Sequence, residues 1–275
     1  MTCRSYRGRL RAVILDWAGT TIDYGSCAPA RAIYRLFERY RVPISEQEAR
    51  SPMGLDKREH IRKIARLKSV AERWMLEYKR TPSESDIDAM YRALVPILKE
   101  AVLENAELIP GTLDATAEFR SRSLGIGSTS GYSREIMRIV VAQAKQRGFE
   151  ADRTICVTDV PSGRPDPWMA VKCAMELGVF PMASIVKIGD TIADIAEGLN
   201  AGMWTIGVAK TGNELGLRRE EVERSSPLCI QRKLRDIYQR MYRAGAHYVV
   251  DSIREAIPAL DEIERRLNRG ESPLF

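Results

Sequence analysis

The stretch Val13-Ile14-Leu15-Asp16-Trp17-Ala18-Gly19-Thr20-Thr21-Ile22-Asp23 decides the fold. A short apolar run ends in a carboxylate and passes at once into a small, hydroxyl-rich turn. This pattern predicts a buried strand that delivers Asp16 to the carboxyl edge of a parallel sheet, where open α/β folds keep their chemistry. The N–H groups and hydroxyls of the turn suit an anion. A carboxylate aimed at an anion needs a cation between the two, or acts as a nucleophile, or both. Two residues after Asp16, where a second acid might be expected, stands Ala18.

Downstream the pattern changes and then returns. Ala28 to Tyr40 reads as a helix, and Arg41 to Tyr91 is dense in Arg, Lys and Glu with helical periodicity and no convincing strand. Helices are expected over Ser45–Arg50, Gly54–Leu67, Val70–Arg80 and Ser83–Leu103, the last bent at Pro96. Ser45-Glu46-Gln47-Glu48 and Ser83-Glu84-Ser85-Asp86 place hydroxyls and acids at the positive ends of two of them. After Pro110-Gly111 strands and helices alternate. Strands are expected at 125–129, 154–157, 184–189, 203–208 and 247–250, with helices between them and one closing the chain. The predicted fold is a doubly wound, parallel-sheet, Rossmann-like α/β core with an inserted all-helical cap. Its expected boundaries are 1–24 and 104–275 for the core and 25–103 for the cap.

The 275 residues, 44% of them hydrophobic, suffice for such a core. The net charge of +6 comes from Lys and Arg spread along helices, without a basic tail or a zinc-finger spacing, so no nucleic-acid partner is expected. The five cysteines (Cys3, Cys27, Cys156, Cys173, Cys229) are odd in number and form no CxxC pair, which favours a reducing compartment. Met1 to Arg11 lacks an apolar leader core, and no run approaches the roughly 20 residues of a membrane span. A cytoplasmic protein without a membrane partner is expected. Two histidines, His60 and His247, exclude a His-rich metal site.

Two further turns recur at predicted strand ends. Gly127-Ser128-Thr129-Ser130-Gly131-Tyr132 is a hydroxyl-rich entry into a helix, suited to an anion. Lys187-Ile188-Gly189-Asp190-Thr191-Ile192-Ala193-Asp194 brings two carboxylates one helical turn apart. Between them Arg164, followed by Pro165, sits extended before a helix and able to reach inward. Hydroxyls, an arginine and acids around Asp16 suit Mg²⁺, which takes a few hard oxygen ligands and keeps the rest for water and phosphate. Nucleophile, cation and charge-neutralising donors together are what phosphoryl transfer requires.

The order Asp16-x-Ala18-Gly19-Thr20, a Ser/Thr strand end, a basic residue, then Gly189-Asp190-x-x-x-Asp194 resembles the haloacid dehalogenase superfamily of aspartyl-phosphate phosphotransferases. Within it, Asp16–Gly25, Pro52–Lys57, Ser128–Glu135, Gly163–Met169 and Gly189–Thr191 resemble the phosphonoacetaldehyde hydrolase (phosphonatase) family, over most of the span from Arg11 to about Glu223. The resemblance implies Mg²⁺-dependent cleavage of a small phosphonate, with Asp16 as nucleophile and Lys57 forming an imine with the substrate aldehyde. It implies metal ligation by Asp16, the Ala18 carbonyl and Asp190, with Asp194 bound through water or in support. It implies substrate contacts from Met53, Gly54, Thr129, Ser130, Tyr132 and Arg164. Among Ser128, Thr129 and Ser130 the phosphoryl contact stays open by a residue or two, with Ser130 favoured. A homodimer through the cap is likewise implied.

Ala18 cannot act as the general acid/base that most superfamily phosphatases carry there, which fits a P–C rather than a P–O substrate. A departure lies at Ser26, where some relatives carry cysteine; here Cys27 follows it. Met53, Lys57 and His60 are spaced by four and three residues and share a helical face with Ile61 and Ile64. A lysine in a charged helix is ordinarily solvated, and a lone histidine ordinarily packs. In this context Lys57 is expected to be the imine-forming amine and His60 to orient it or shuttle protons. Met53 is expected to line the Lys57 pocket. Asp23 is expected to be structural, and Trp168 to anchor its helix in the core. Trp74, Met75 and Tyr78 form an apolar stripe for a dimer, or else cap core. The competing readings are a P–O phosphatase of the same fold and a metabolite-binding protein without turnover.

Overall fold

The computed structural model describes residues 6–273; Cys3 and the first five residues of the chain lie outside them. β1 (Ala12–Leu15) is buried on both sides. Val13 and Leu15 face one apolar cluster, Ala12 and Ile14 another, as the period of two requires. β1 pairs in parallel with β2 (Gly125–Ser130) and with β4 (Ile185–Gly189). β3 (Arg153–Cys156) lies beyond β2, and β5 (Trp204–Val208) and β6 (Tyr248–Val250) lie beyond β4. The order is 3-2-1-4-5-6, all parallel, so the chain reverses its winding direction at β1. That topological switch opens a crevice at the carboxyl ends of β1, β2 and β4.

Between β1 and residue 110 the chain forms helices α1 (Cys27–Arg39), α2 (Glu46–Arg50), α3 (Lys57–Ala65), α4 (Lys68–Tyr78) and α5 (Glu84–Glu104) and no strand. Helices α6 (Thr112–Ser121), α7 (Arg134–Gln146), α8 (Trp168–Leu177), α9 (Ile192–Asn200), α10 (Arg219–Arg224), α11 (Pro227–Arg243) and α12 (Ala256–Asn268) complete the layers. The two start signals read from sequence are capping boxes. Ser45 accepts from the Glu48 N–H while the Glu48 carboxylate takes the Ser45 N–H at 2.7 Å, and Ser83 and Asp86 do the same. Asp23 accepts the N–H groups of Cys27 and Ala28, both at 2.9 Å, and so starts α1. α5 runs unbroken through Pro96.

Several expectations need correction. α3 begins at Lys57 rather than Gly54, because residues 51–55 form turns and Asp56 caps the helix through the Glu59 N–H. α10 was not anticipated; it is a short polar helix without an apolar stripe. Trp168 is 48% exposed and does not anchor α8; Met169, Ala170, Cys173 and Ala174 do. Trp74 is wholly buried, stacked between Tyr40 and Tyr78, and so belongs to the packing of the helical segment rather than to a surface stripe. One apolar cluster runs from Val13 and Leu15 through α1 and α5 to Trp74. Among the described residues no helix is long and apolar enough to cross a membrane.

Candidate active site

Three parallel strands end at one point. Asp16 follows β1, Asp190 follows β4, and Ser130 closes β2. A cavity there is lined by Asp16, Ala18, Asp190 and Thr191, by Ser130, Gly131, Tyr132 and Arg164, and by Ser26, Met53, Gly54, Leu55 and Lys57 from above. It leaves about 30 Å³ of free space, on the order of one water. The segment carrying Met53 to Lys57 is therefore closed down on the strand ends.

Asp16, Asp190 and Asp194 place carboxylate oxygens within 4.8 Å of one another, all buried. Arg164 threads between them: Nη2 lies 2.8 Å from Asp16 Oδ1, Nη1 3.1 Å from Asp194 Oδ1, and Nε donates to Glu197 Oε2 at 2.9 Å. Lys187 Nζ lies 2.9 Å from Asp194 Oδ1 and 3.2 Å from Glu197 Oε2. Four buried carboxylates, Asp16, Asp190, Asp194 and Glu197, thus lie beside Arg164 and Lys187, with the buried Lys57 across the cavity. Burial pushes the Asp16 carboxyl up to about 6, with Asp194 adding to the rise and Arg164 opposing it. Burial likewise drives Asp190 well above the usual carboxylate range, and Asp16 and Asp194 push it further. Burial works against the charge of Asp194 too, yet Arg164 and Lys187 hold it below the ordinary value.

This donor set fits a divalent cation. It is all oxygen, and it brings three buried carboxylates together. Asp16 and Asp190, the carboxylates with raised pKa values, are the available ligands. Asp194 Oδ1 is ion-paired to Arg164 and Lys187 without accepting a hydrogen bond, while Oδ2 accepts the Thr191 hydroxyl at 2.6 Å and N–H at 3.2 Å. The Asn213 N–H donates to Asp190 Oδ2 at 2.7 Å and fixes that carboxylate's rotation.

The three hydroxyls left open by the sequence have different surroundings. Ser128 turns to Arg153 and Thr154. Thr129, expected among the substrate contacts, does not line the cavity. Its Oγ1 accepts from Arg164 Nη2 at 2.8 Å and Lys187 Nζ at 2.9 Å and donates to Glu197 at 3.1 Å. Ser130 is the one of the three that lines the cavity.

Lys57 is 7% exposed. Its Nζ lies 3.8 Å from Met53 Sδ and 5.3 Å from the Tyr132 ring centroid. Burial lowers its pKa from 10.5 to about 8, against the pull of Asp16 and Asp56. His60 lies one helical turn behind it, wholly buried and off the cavity lining. Its Nε2 is 2.8 Å from the Ala49 carbonyl and Nδ1 has no partner. Burial first, and then Lys57, hold its pKa at about 3, so the ring is neutral. Cys27 does not line the cavity and its thiol is pushed up by burial, whereas Ser26 does line it.

Lys187 and Glu197 were not read from the sequence as site residues. Lys187 is a lone charge in an apolar strand, and Glu197 is one helical turn beyond Asp194. Those two signals mark each residue as unusual, but not that the two meet.

The model of the haloacid dehalogenase-like hydrolase family matches residues 10–202. The chain is 43% identical over 270 residues to a phosphonoacetaldehyde hydrolase of Nitratidesulfovibrio vulgaris, covering 98% of this chain and 96% of that protein. It is 42% identical over 258 residues to a phosphonoacetaldehyde hydrolase of Bacillus cereus, covering 94% and 98%. The crystal structure of a phosphonoacetaldehyde hydrolase-like protein from Oleispira antarctica superposes with a TM-score of 0.97 at 38% identity, over 99% of both chains.

Proposed function

This chain belongs to the haloacid dehalogenase-like hydrolases and, within them, to the phosphonoacetaldehyde hydrolase family, and from that premise we propose that it hydrolyses the carbon–phosphorus bond of phosphonoacetaldehyde to acetaldehyde and phosphate. The observation that carries the reading is a buried amine and a buried carboxylate, Lys57 and Asp16, lining one small cavity in which Ala18 offers no acid. A P–C bond next to a carbonyl chain breaks poorly unless the departing electron pair has somewhere to go. Lys57 Nζ adds to the aldehyde carbon, water leaves, and a protonated imine forms. Asp16 then attacks phosphorus in line. The P–C pair flows into the imine, giving an aspartyl phosphate and an enamine. The enamine takes a proton at carbon and is hydrolysed to acetaldehyde and free Lys57, and a second water cleaves the aspartyl phosphate.

Asp16, Asp190 and the Ala18 carbonyl would hold Mg²⁺, with Asp194 in support; bound there, the ion neutralises charge on the phosphoryl oxygens. Ser130 and Arg164 bind those oxygens, and Met53, Gly54 and Tyr132 wall in the aldehyde end. His60, neutral and hydrogen-bonded to Ala49, orients the α3 face that carries Lys57. Residues 25–103 act as a cap over a core of 1–24 and 104–275, opening to admit substrate and closing to exclude water. The protein is read as a cytoplasmic homodimer, a state that sedimentation equilibrium tests.

Phosphate release from phosphonoacetaldehyde, with and without Mg²⁺ and beside a simple phosphate ester, tests the reaction. Borohydride added with substrate should inactivate the enzyme and add mass at Lys57. Turnover of the ester alone, or no adduct at Lys57, would overturn the reading.

A further inference from the structure

Beneath the cavity lies a pair of charges that the mechanism above leaves without a task. We propose that Lys187 and Glu197 are positioning residues, holding Arg164 at Nε so that its Nη2 meets Asp16 and the phosphoryl group. The proposal rests on the phosphoryl-transfer reading of the site.

Lys187 sits in β4 between Val186 and Ile188, opposite Ile14 of β1, and is 1% exposed; Glu197 is wholly buried on α9. Neither lines the cavity, so neither can touch substrate. Lys187 Nζ donates to Thr129 Oγ1 at 2.9 Å and forms ion pairs with Asp194 Oδ1 at 2.9 Å and Glu197 Oε2 at 3.2 Å. Glu197 Oε2 in turn gathers Arg164 Nε, Thr129 Oγ1 and Lys187. Arg164 has a single Nε–H, and it goes to Glu197. The planar guanidinium is therefore pinned at Nε by Glu197, at Nη1 by Asp194, and at Nη2 by Asp16 and Thr129.

Two features separate positioning from mere packing. The pair is neutral as a whole, so it leaves the net charge of the site unchanged, and its contribution is directional. Second, Asp16 loses its carboxylate charge when it becomes an acyl phosphate, and Arg164 then loses that partner. Glu197 and Asp194 are the anions that keep the same relation to Arg164 throughout the cycle.

The test uses Glu197→Gln, which keeps size and removes charge, and the double variant Lys187→Met/Glu197→Leu, which removes both charges together so that neither is left buried and unpaired. Calorimetric titration with inorganic phosphate should show affinity weakened at least about tenfold in both variants. kcat/KM should fall by roughly 10²-fold, the scale expected of a small misplacement of a catalytic group. Borohydride trapping of the Lys57 imine should persist, because aldehyde condensation does not use Arg164. Phosphate affinity and kcat/KM within about threefold of the parent, in either folded variant, overturn the proposal. So does parallel loss of imine trapping, which marks general damage to the site. If the double variant does not fold, Glu197→Gln carries the decision. A parent enzyme that binds phosphate but traps no imine would count instead against the phosphonate reading.

Discussion

An amine attacks a carbonyl only as the free base, and burial supplies Lys57 with that form. Its pKa falls from 10.5 to about 8, so the free amine at neutral pH is more abundant by on the order of a hundredfold. The rate of Lys57 imine trapping should therefore rise with pH and level off above about 8, read by borohydride inactivation across pH 6–10. A limb near 10 would mean that the amine is solvated when it reacts. Lys57→Arg keeps the charge but never deprotonates, and should abolish turnover with the fold retained. The same burial has a stability cost of opposite direction. The folded pKa lies below the unfolded one, so the penalty for charging Lys57 is full below about pH 8 and disappears as pH rises toward 10.5. Lys57→Met should gain stability on the order of 3 kcal/mol at pH 7, and urea unfolding at pH 7 and pH 10.5 should show the gain shrinking. A functional residue that costs stability is the usual trade at an active site. At this scale the sequence was informative where chemistry ends a strand. Asp16 and Asp190 each follow an apolar run and precede a turn, so their place at the sheet edge could be read directly. Lys187 and Glu197 lie within a strand and a helix, and only the packing of β4, α9 and the Arg164 loop reveals that they meet.

The elements most legible in sequence were those with chemical punctuation. Ser45 and Ser83 announced α2 and α5 through their capping boxes, and those starts appear as read. α3, expected to start at Gly54, starts at Lys57, where Asp56 caps it. The turn that precedes it matters to function. Gly54 has φ +90°, and a Cβ there would collide with the Thr191 hydroxyl, which caps α9 beside Asp194. The turn can approach the end of β4 only because this position lacks a side chain. Gly54→Ala should hold α3 and Lys57 away from the strand ends. The expected result is a fall of about 10²-fold in kcat/KM with thermal unfolding shifted little, since the strain is relieved by opening. Near-parent kinetics would show that the turn yields without moving Lys57.

At the scale of the whole molecule, the sequence shows that a helical segment interrupts the sheet, but not what holds it shut, because the contacts join residues far apart in the chain. One tie is Arg50, on α2. Its Nη1 donates to the Gly25 carbonyl at 2.8 Å and the Asn213 side chain at 3.2 Å, and Nη2 donates to the Gly216 carbonyl at 2.9 Å. Gly216 has φ +67°, and a Cβ there would lie 2.8 Å from Arg50 Nε, so the cradle exists only with glycine. Asn213 also gives its N–H to Asp190, so the same loop that clasps the helices holds a carboxylate of the aspartate cluster. Hydrogen bonds from a charged group are worth about 1.5–3 kcal/mol each, so losing even one shifts the closed-to-open ratio by roughly tenfold or more. Arg50→Ala and Gly216→Ala attack this tie from its two sides. Both should speed labelling of Lys57 by an amine reagent at fixed pH by about tenfold, with exposed Lys63 as internal reference. Both should also lower kcat/KM, since an open segment admits water to the imine. Unchanged Lys57 labelling in the two variants would place the force of closure elsewhere, in the apolar cluster that α1 and α5 share with the sheet.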